Sequence, residues 1–158
     1  ITATDVENTL TFGNTGTLTA SNKVNNAGTF TNGGSFNAAD VENTATFTFD
    51  NTGTLIASNS VTNAGTFTNY ESFSAPTVTN AGTFTNNKTF TATDVENTLT
   101  FANIETLSAS NKVTNAGTCT HGGSSNAADV ENTATFTFDN TGPVIAITSD
   151  TNAVTLTN

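Results

Sequence analysis

Apolar and polar residues alternate along this chain, and Asn and Gly interrupt the alternation at regular intervals. In Val24-Asn25-Asn26-Ala27-Gly28-Thr29-Phe30-Thr31-Asn32, one side collects Val24, Asn26, Gly28, Phe30 and Asn32. The other side collects Asn25, Ala27, Thr29 and Thr31. A period of two is the mark of a β-strand that buries one face. The inward side continues through Phe36 and Ala38, and the parity resets at Val41.

The pattern then recurs. Val-x-Asn starts at Val6, Val24, Val41, Val61, Val78, Val95, Val113 and Val130, and Asn152 adds a ninth Asn without the Val. Successive Asn residues are 17 to 20 positions apart, which is one β-coil per repeat. The two 20-residue gaps share one cause, a Thr-Phe insertion within residues 44–51 and again within 133–140. A longer period overlies this one. Asp5-Val6-Glu7-Asn8 returns as Asp94-Val95-Glu96-Asn97, and Asp40-Val41-Glu42-Asn43 as Asp129-Val130-Glu131-Asn132, both 89 residues on. Five coils thus form a super-repeat, as an internal duplication produces.

Stacking the coils turns each position into a ladder. One ladder reads Phe12, Phe30, Phe47, Phe67, Phe84, Phe101, Cys119, Phe136 and Leu156. A second reads Leu18, Phe36, Leu55, Phe73, Phe90, Leu107, Ser125 and Val144. A third is Ala20, Ala38, Ala57, Ala75, Ala92, Ala109, Ala127 and Ala146. These rungs predict an all-β, right-handed parallel β-solenoid of about nine coils of 17–20 residues, covering 1–158 as a single array. At ~4.8 Å per coil the rod is about 43 Å long. The inward Asn26, Asn43, Asn63, Asn80, Asn97, Asn115 and Asn132 are expected to bond to one another and to turn backbone, because a polar group facing a core needs a partner. Ile1–Val6 matches Phe90–Val95, so the chain starts midway through a coil. The expectation is a piece of a longer repetitive chain, able to assemble with itself head to tail or laterally.

Composition supports strands and turns. Thr contributes 38 residues and Asn 24, and only 10% of residues are charged, against roughly 25% in ordinary globular domains. The net charge is −10 and the only cations are Lys23, Lys88 and Lys112, which argues against a nucleic-acid partner. No apolar run approaches the ~20 residues that cross a bilayer, so no membrane-spanning segment is expected.

Little in the chain suits catalysis, and no enzyme activity, cofactor or metal is expected. The only Cys and His, Cys119 and His121, both alternate inward, where Phe and Asn stand in other coils; a packed core position is the favoured reading over a Cys–His nucleophile. Asp5/Glu7, Asp40/Glu42, Asp94/Glu96 and Asp129/Glu131 each flank an inward Val and so point outward. The register puts Lys23 between Asp5 and Asp40, and Lys112 between Asp94 and Asp129. That reads as a surface charge ladder and weighs against a calcium site, which needs several oxygen ligands and no intervening cation.

The outward Thr residues form the sharpest surface feature. Pairs Thr29/Thr31, Thr46/Thr48, Thr66/Thr68, Thr83/Thr85, Thr118/Thr120 and Thr135/Thr137 build two rows, about 4.8 Å between coils and about 6.7 Å along a strand. Thr also pairs well with Thr across strands, which is the simpler reading of its abundance. The rows resemble the ice-binding face of hyperactive β-solenoid antifreeze proteins. Asn14-Thr15-Gly16-Thr17-Leu18-Thr19-Ala20 and Asn63-Ala64-Gly65-Thr66-Phe67-Thr68-Asn69 resemble the repeats of filamentous-haemagglutinin-like adhesins. That second resemblance implies a structural segment of an extracellular fibre, sheath or adhesin at a cell surface, with itself or a host surface as partner. The first implies ice as the alternative partner.

Overall fold

The computed structural model describes residues 1–44, 48–133, 144–146 and 150–152. Every described element is a β-strand, and every pairing between strands is parallel. The chain winds as a β-solenoid whose coils each have three short legs. Thr66–Asn69 is one such leg; Ser72–Asn80 bends at Ala75 and Pro76 to supply the other two. Alternation decides what each leg buries. Phe67, Asn69, Phe73, Ala75, Val78 and Asn80 are buried, while Thr66, Ser72 and Thr77 are exposed.

Two sheets result. The first legs form a seven-stranded sheet, Thr11–Asn14 through Thr118–His121, and the strands of the other two legs form a twelve-stranded sheet. Seven complete turns are therefore described, against the nine expected from counting Asn. An Asn at the edge of the array marks one leg, whereas a turn needs all three.

The interior is a set of continuous rungs. Phe12, Phe30, Phe49, Phe67, Phe84 and Phe101 stack ring on ring, with successive centroids 4.9, 4.5, 4.7, 4.7 and 5.3 Å apart. Phe73 and Phe90 stack at 4.9 Å and meet this column edge-on. Offset stacks and edge contacts of this kind add to the burial of each ring, itself worth roughly 1.5–3 kcal/mol. Of the expected Ala rungs, Ala38↔Ala57 and the run Ala75↔Ala92, Ala92↔Ala109, Ala109↔Ala127 and Ala127↔Ala146 pair in register. Ala3 also pairs with Ala20, and the Leu/Phe rungs run from Leu18↔Phe36 to Ser125↔Val144.

One rung differs from expectation. Phe47 lies outside the described residues, and its expected place is taken by Phe49, which pairs with both Phe30 and Phe67. Phe47 and Phe49 have the same parity, so alternation alone does not choose between them. The choice is made at the following corner, where Asn51 aligns with Asn32 and Asn69. Placing Phe47 in the column would bring Phe49 to that polar corner and leave the amides of its neighbours without a partner. Phe136, in the duplicated insertion, also lies outside the described residues.

The corners impose their own requirement. No described glycine has a positive φ, so conformational freedom is not what they supply. A Cβ on Gly28 would lie 2.1 Å from Leu10 O, and one on Gly117 would lie 2.1 Å from Leu99 O. Glycine is needed there because one coil's corner sits on the backbone of the coil before it.

Candidate functional site

The interior holds two polar ladders. In the first, Asn8 Nδ2 donates to Asn26 Oδ1 at 2.8 Å, and the same bond continues through Asn43, Asn63, Asn80 and Asn97 to Asn115. Most of these amides also donate to a backbone carbonyl, as Asn63 does to Thr83 O at 3.0 Å. Asn132 aligns with Asn115 in the backbone register. The second ladder joins Asn14, Asn32, Asn51, Asn69, Asn86 and Asn103 in the same way. Its signal in the chain is an Asn two residues after each stacked Phe, a spacing that counting from Val-x-Asn passes over. His121 ends this ladder, with Nδ1 3.0 Å from Asn103 Nδ2. Because Asn103 donates there, Nδ1 accepts and the ring proton belongs on Nε2. Burial lowers the His121 pKa, against a smaller opposing effect of a hydrogen bond with the Gly123 backbone.

Cys119 pairs in register with Phe101 and is buried. Burial pushes its thiol up to about 12, so the reactive thiolate is scarce at neutral pH. Among the described residues no three His, Cys, Asp or Glu side chains gather as a metal site.

Charge is concentrated on the third leg. Lys23 aligns with Asp40 and Lys112 with Asp94 and Asp129, as the register predicts. The ion pairs, however, go to the next carboxylate along: Lys23 Nζ bonds Glu42 and Lys112 Nζ bonds Glu131. The hydrogen bond to Glu131 is the largest cause holding Lys112 above the ordinary lysine value. The Asp side chains are engaged differently. Asn22, Asn59 and Asn111, at the corners that carry one extra residue, donate Nδ2 to Asp5, Asp40 and Asp94 of the preceding coil at 2.7, 2.8 and 2.7 Å. Each of these carboxylates thus anchors the corner above it.

The Thr rows lie on the seven-stranded sheet. The first row is unbroken through the described coils: Thr11, Thr29, Thr48, Thr66, Thr83, Thr100 and Thr118. The second row reads Gly13, Thr31, Asp50, Thr68, Thr85, Ala102 and Thr120. Thr48 belongs to the first row instead of the second, for the reason that moved Phe49 into the aromatic column. Thr46, Thr135 and Thr137 lie outside the described residues. Thr29, Thr31, Thr66, Thr83, Thr118 and Thr120 are exposed, and Thr68 and Thr85 half-buried. Complete Thr-x-Thr pairs on adjacent coils therefore occur only at Thr66/Thr68 and Thr83/Thr85 among the described residues.

No helix among the described residues is long and apolar enough to cross a membrane. In comparisons with known proteins, the chain matches no family model, no curated protein and no solved structure.

Proposed function

We propose that this chain is a structural repeat segment of an extracellular surface fibre, sheath or adhesin. The observation that carries this reading is the sameness of the coils. From Asn8 to Asn115 and from Asn14 to Asn103, each turn offers the next one the same amide, the same ring or aliphatic rung, and the same Ala. An interior of that kind lengthens by repetition, since each coil needs only its two neighbours. Identical rungs serve length and stiffness; a localised binding site needs one coil to differ from the rest.

The test uses arrays of one, two and three copies of the 89-residue super-repeat, with X-ray scattering to read their length. The expected increment is about 24 Å per added copy, five coils at ~4.8 Å each. Antibody labelling of intact source cells then tests the location. A purely cytosolic antigen would defeat the surface assignment.

A second reading, ice binding by the Thr rows, has one observation in its favour: the unbroken first row on a regular sheet. Gly13, Asp50 and Ala102 interrupt the second row, which is why the structural reading comes first. Thermal hysteresis that is lost in Thr66→Tyr or Thr83→Tyr would reverse that order.

A further inference from the structure

The Asn residues divide into two populations. Those of the two ladders are buried and bonded to the Asn of an adjacent coil, and each is followed three positions later by Thr or Ser, as in Asn63/Thr66 and Asn69/Ser72. Three positions is one too many for the Asn-x-Thr/Ser acceptor of N-linked glycans. Although the chain has 24 Asn, only Asn87-Lys88-Thr89 has the acceptor spacing, because Asn87 follows the ladder residue Asn86 and so brings Thr89 within two.

Asn87 is also placed differently. It stands in the corner between Thr83–Asn86 and Thr89–Asn97, where Lys88 and Thr89 are exposed. Its backbone N–H is bonded to Asn69 O at 2.8 Å, and its side-chain amide is bonded to no described residue. The same corner of the coil before carries Tyr70 and that of the coil after carries Ile104, 46% and 54% exposed. Other coils place Thr15, Gly33, Thr52 and Gly122 there. Two large side chains therefore flank Asn87, one on each adjacent rung at ~4.8 Å spacing, and no described residue covers them.

We propose that Asn87 is an N-glycan acceptor and that the first sugars lie along the corner over Tyr70 and Ile104. The proposal rests on the extracellular placement given above. In the transfer, Asn87 Nδ2 attacks C1 of an oligosaccharide carried on a polyprenyl pyrophosphate, under an oligosaccharyltransferase. The C1–Nδ2 bond forms, the C1–O bond breaks, and the polyprenyl pyrophosphate leaves with that electron pair. A base of the transferase takes the amide proton. The C–H face of a sugar ring then has the Tyr70 ring to pack on, which gives the exposed aromatic a partner.

The test expresses the chain behind a signal peptide in a glycosylating eukaryotic host. Intact mass should show one glycan, absent in Asn87→Gln and Thr89→Ala and kept in Thr89→Ser, with circular dichroism confirming that each variant is folded. Tyr70 is the only Tyr and there is no Trp, so intrinsic fluorescence reports on this corner alone. Acrylamide quenching should fall in the glycosylated chain and recover after enzymatic removal of the glycan. A secreted, folded chain unmodified at Asn87 would overturn the site whatever the native location. A glycan that leaves quenching unchanged would overturn its packing on Tyr70. A cytosolic antigen in source cells would overturn the surface reading and, with it, glycosylation of the native chain, whereas loss of the mass shift in the secreted chain would overturn the Asn87 site alone.

Discussion

Substituting Asn63 probes the ladder at its middle. The residue is fully buried; its Nδ2 donates to Asn80 Oδ1 at 2.8 Å, Thr83 O at 3.0 Å and Gly65 O at 3.1 Å, while its Oδ1 accepts from Asn43 Nδ2 at 2.8 Å. Asn63→Ala removes all four. Asn43 Nδ2 keeps its bond to Thr66 O, but Asn80 Oδ1 retains only a 3.3 Å contact from Gly82 N. Each buried group left unmet costs about 1–3 kcal/mol, so two or so of them give a loss of about 3–5 kcal/mol. Urea unfolding at unchanged slope should read that loss as a lower midpoint. The exposed Thr66→Ala should stay within about 0.5 kcal/mol.

Asn63→Asp sharpens the test, because it keeps the shape and removes the donors. At neutral pH a buried carboxylate would face Asn80 Oδ1, Thr83 O and Gly65 O, all acceptors. Both burial and these acceptors disfavour the charged form, so the folded-state pKa rises above the ordinary value of about 3.9. The sign follows from the linkage: with the folded pKa raised, stability is fully present below about pH 3.9 and is lost as pH rises through the folded value. The variant should therefore gain stability, relative to the parent, as the solution is acidified. A pH-independent difference, or an Asn63→Ala loss no larger than that of Thr66→Ala, would refute the ladder as a stabilising element.

Three further outcomes follow from other rungs. Phe49→Ala should cost about 3–5 kcal/mol in urea unfolding, since the ring is fully buried between those of Phe30 and Phe67. His121, whose pKa is lowered by burial, should make the chain acid-sensitive: its contribution is complete above the unfolded value of about 6.5 and is lost as pH falls through it toward the lowered folded value. His121→Asn should flatten that part of the stability–pH curve in thermal melts. Cys119, buried with its thiol pushed up to about 12, should resist iodoacetamide in the folded chain and become alkylated in step with the urea transition.

The Ala, Leu/Phe and first Asn ladders were legible in the chain because each depends on two quantities that sequence displays, parity and repeat length. Phe47 and Phe49 mark where that reading stopped. Both have inward parity, and the choice depends on Asn51 reaching Asn32 and Asn69, contacts 18 or more residues away in sequence. The same limit applies to Lys23 and Lys112. Backbone register puts each beside an Asp, but a Lys side chain is long enough to reach past it, and one oxygen of Asp5, Asp40 and Asp94 already accepts from an Asn of the next coil. The Thr rows were visible as residues, and the gap at Asp50 was not, because it follows from the same shift that moved Phe49. What the rows do is not legible from Thr alone, since strand propensity and surface recognition select the same residue.

The corners also determine how the rod behaves electrically. In both ladders each side-chain amide donates forward, from a coil to the one that follows it. The backbone bonds beside them run the other way: Ala27 N–H donates back to Asn8 O, Ala81 N–H to Asn63 O, and Asn87 N–H to Asn69 O. Two columns of amide dipoles thus lie side by side at each corner with opposite polarity. In an α-helix the peptide dipoles add head to tail and place partial charge at both termini. Here the two columns oppose one another, so the dipole moment that each corner adds per coil is smaller than that of two aligned columns.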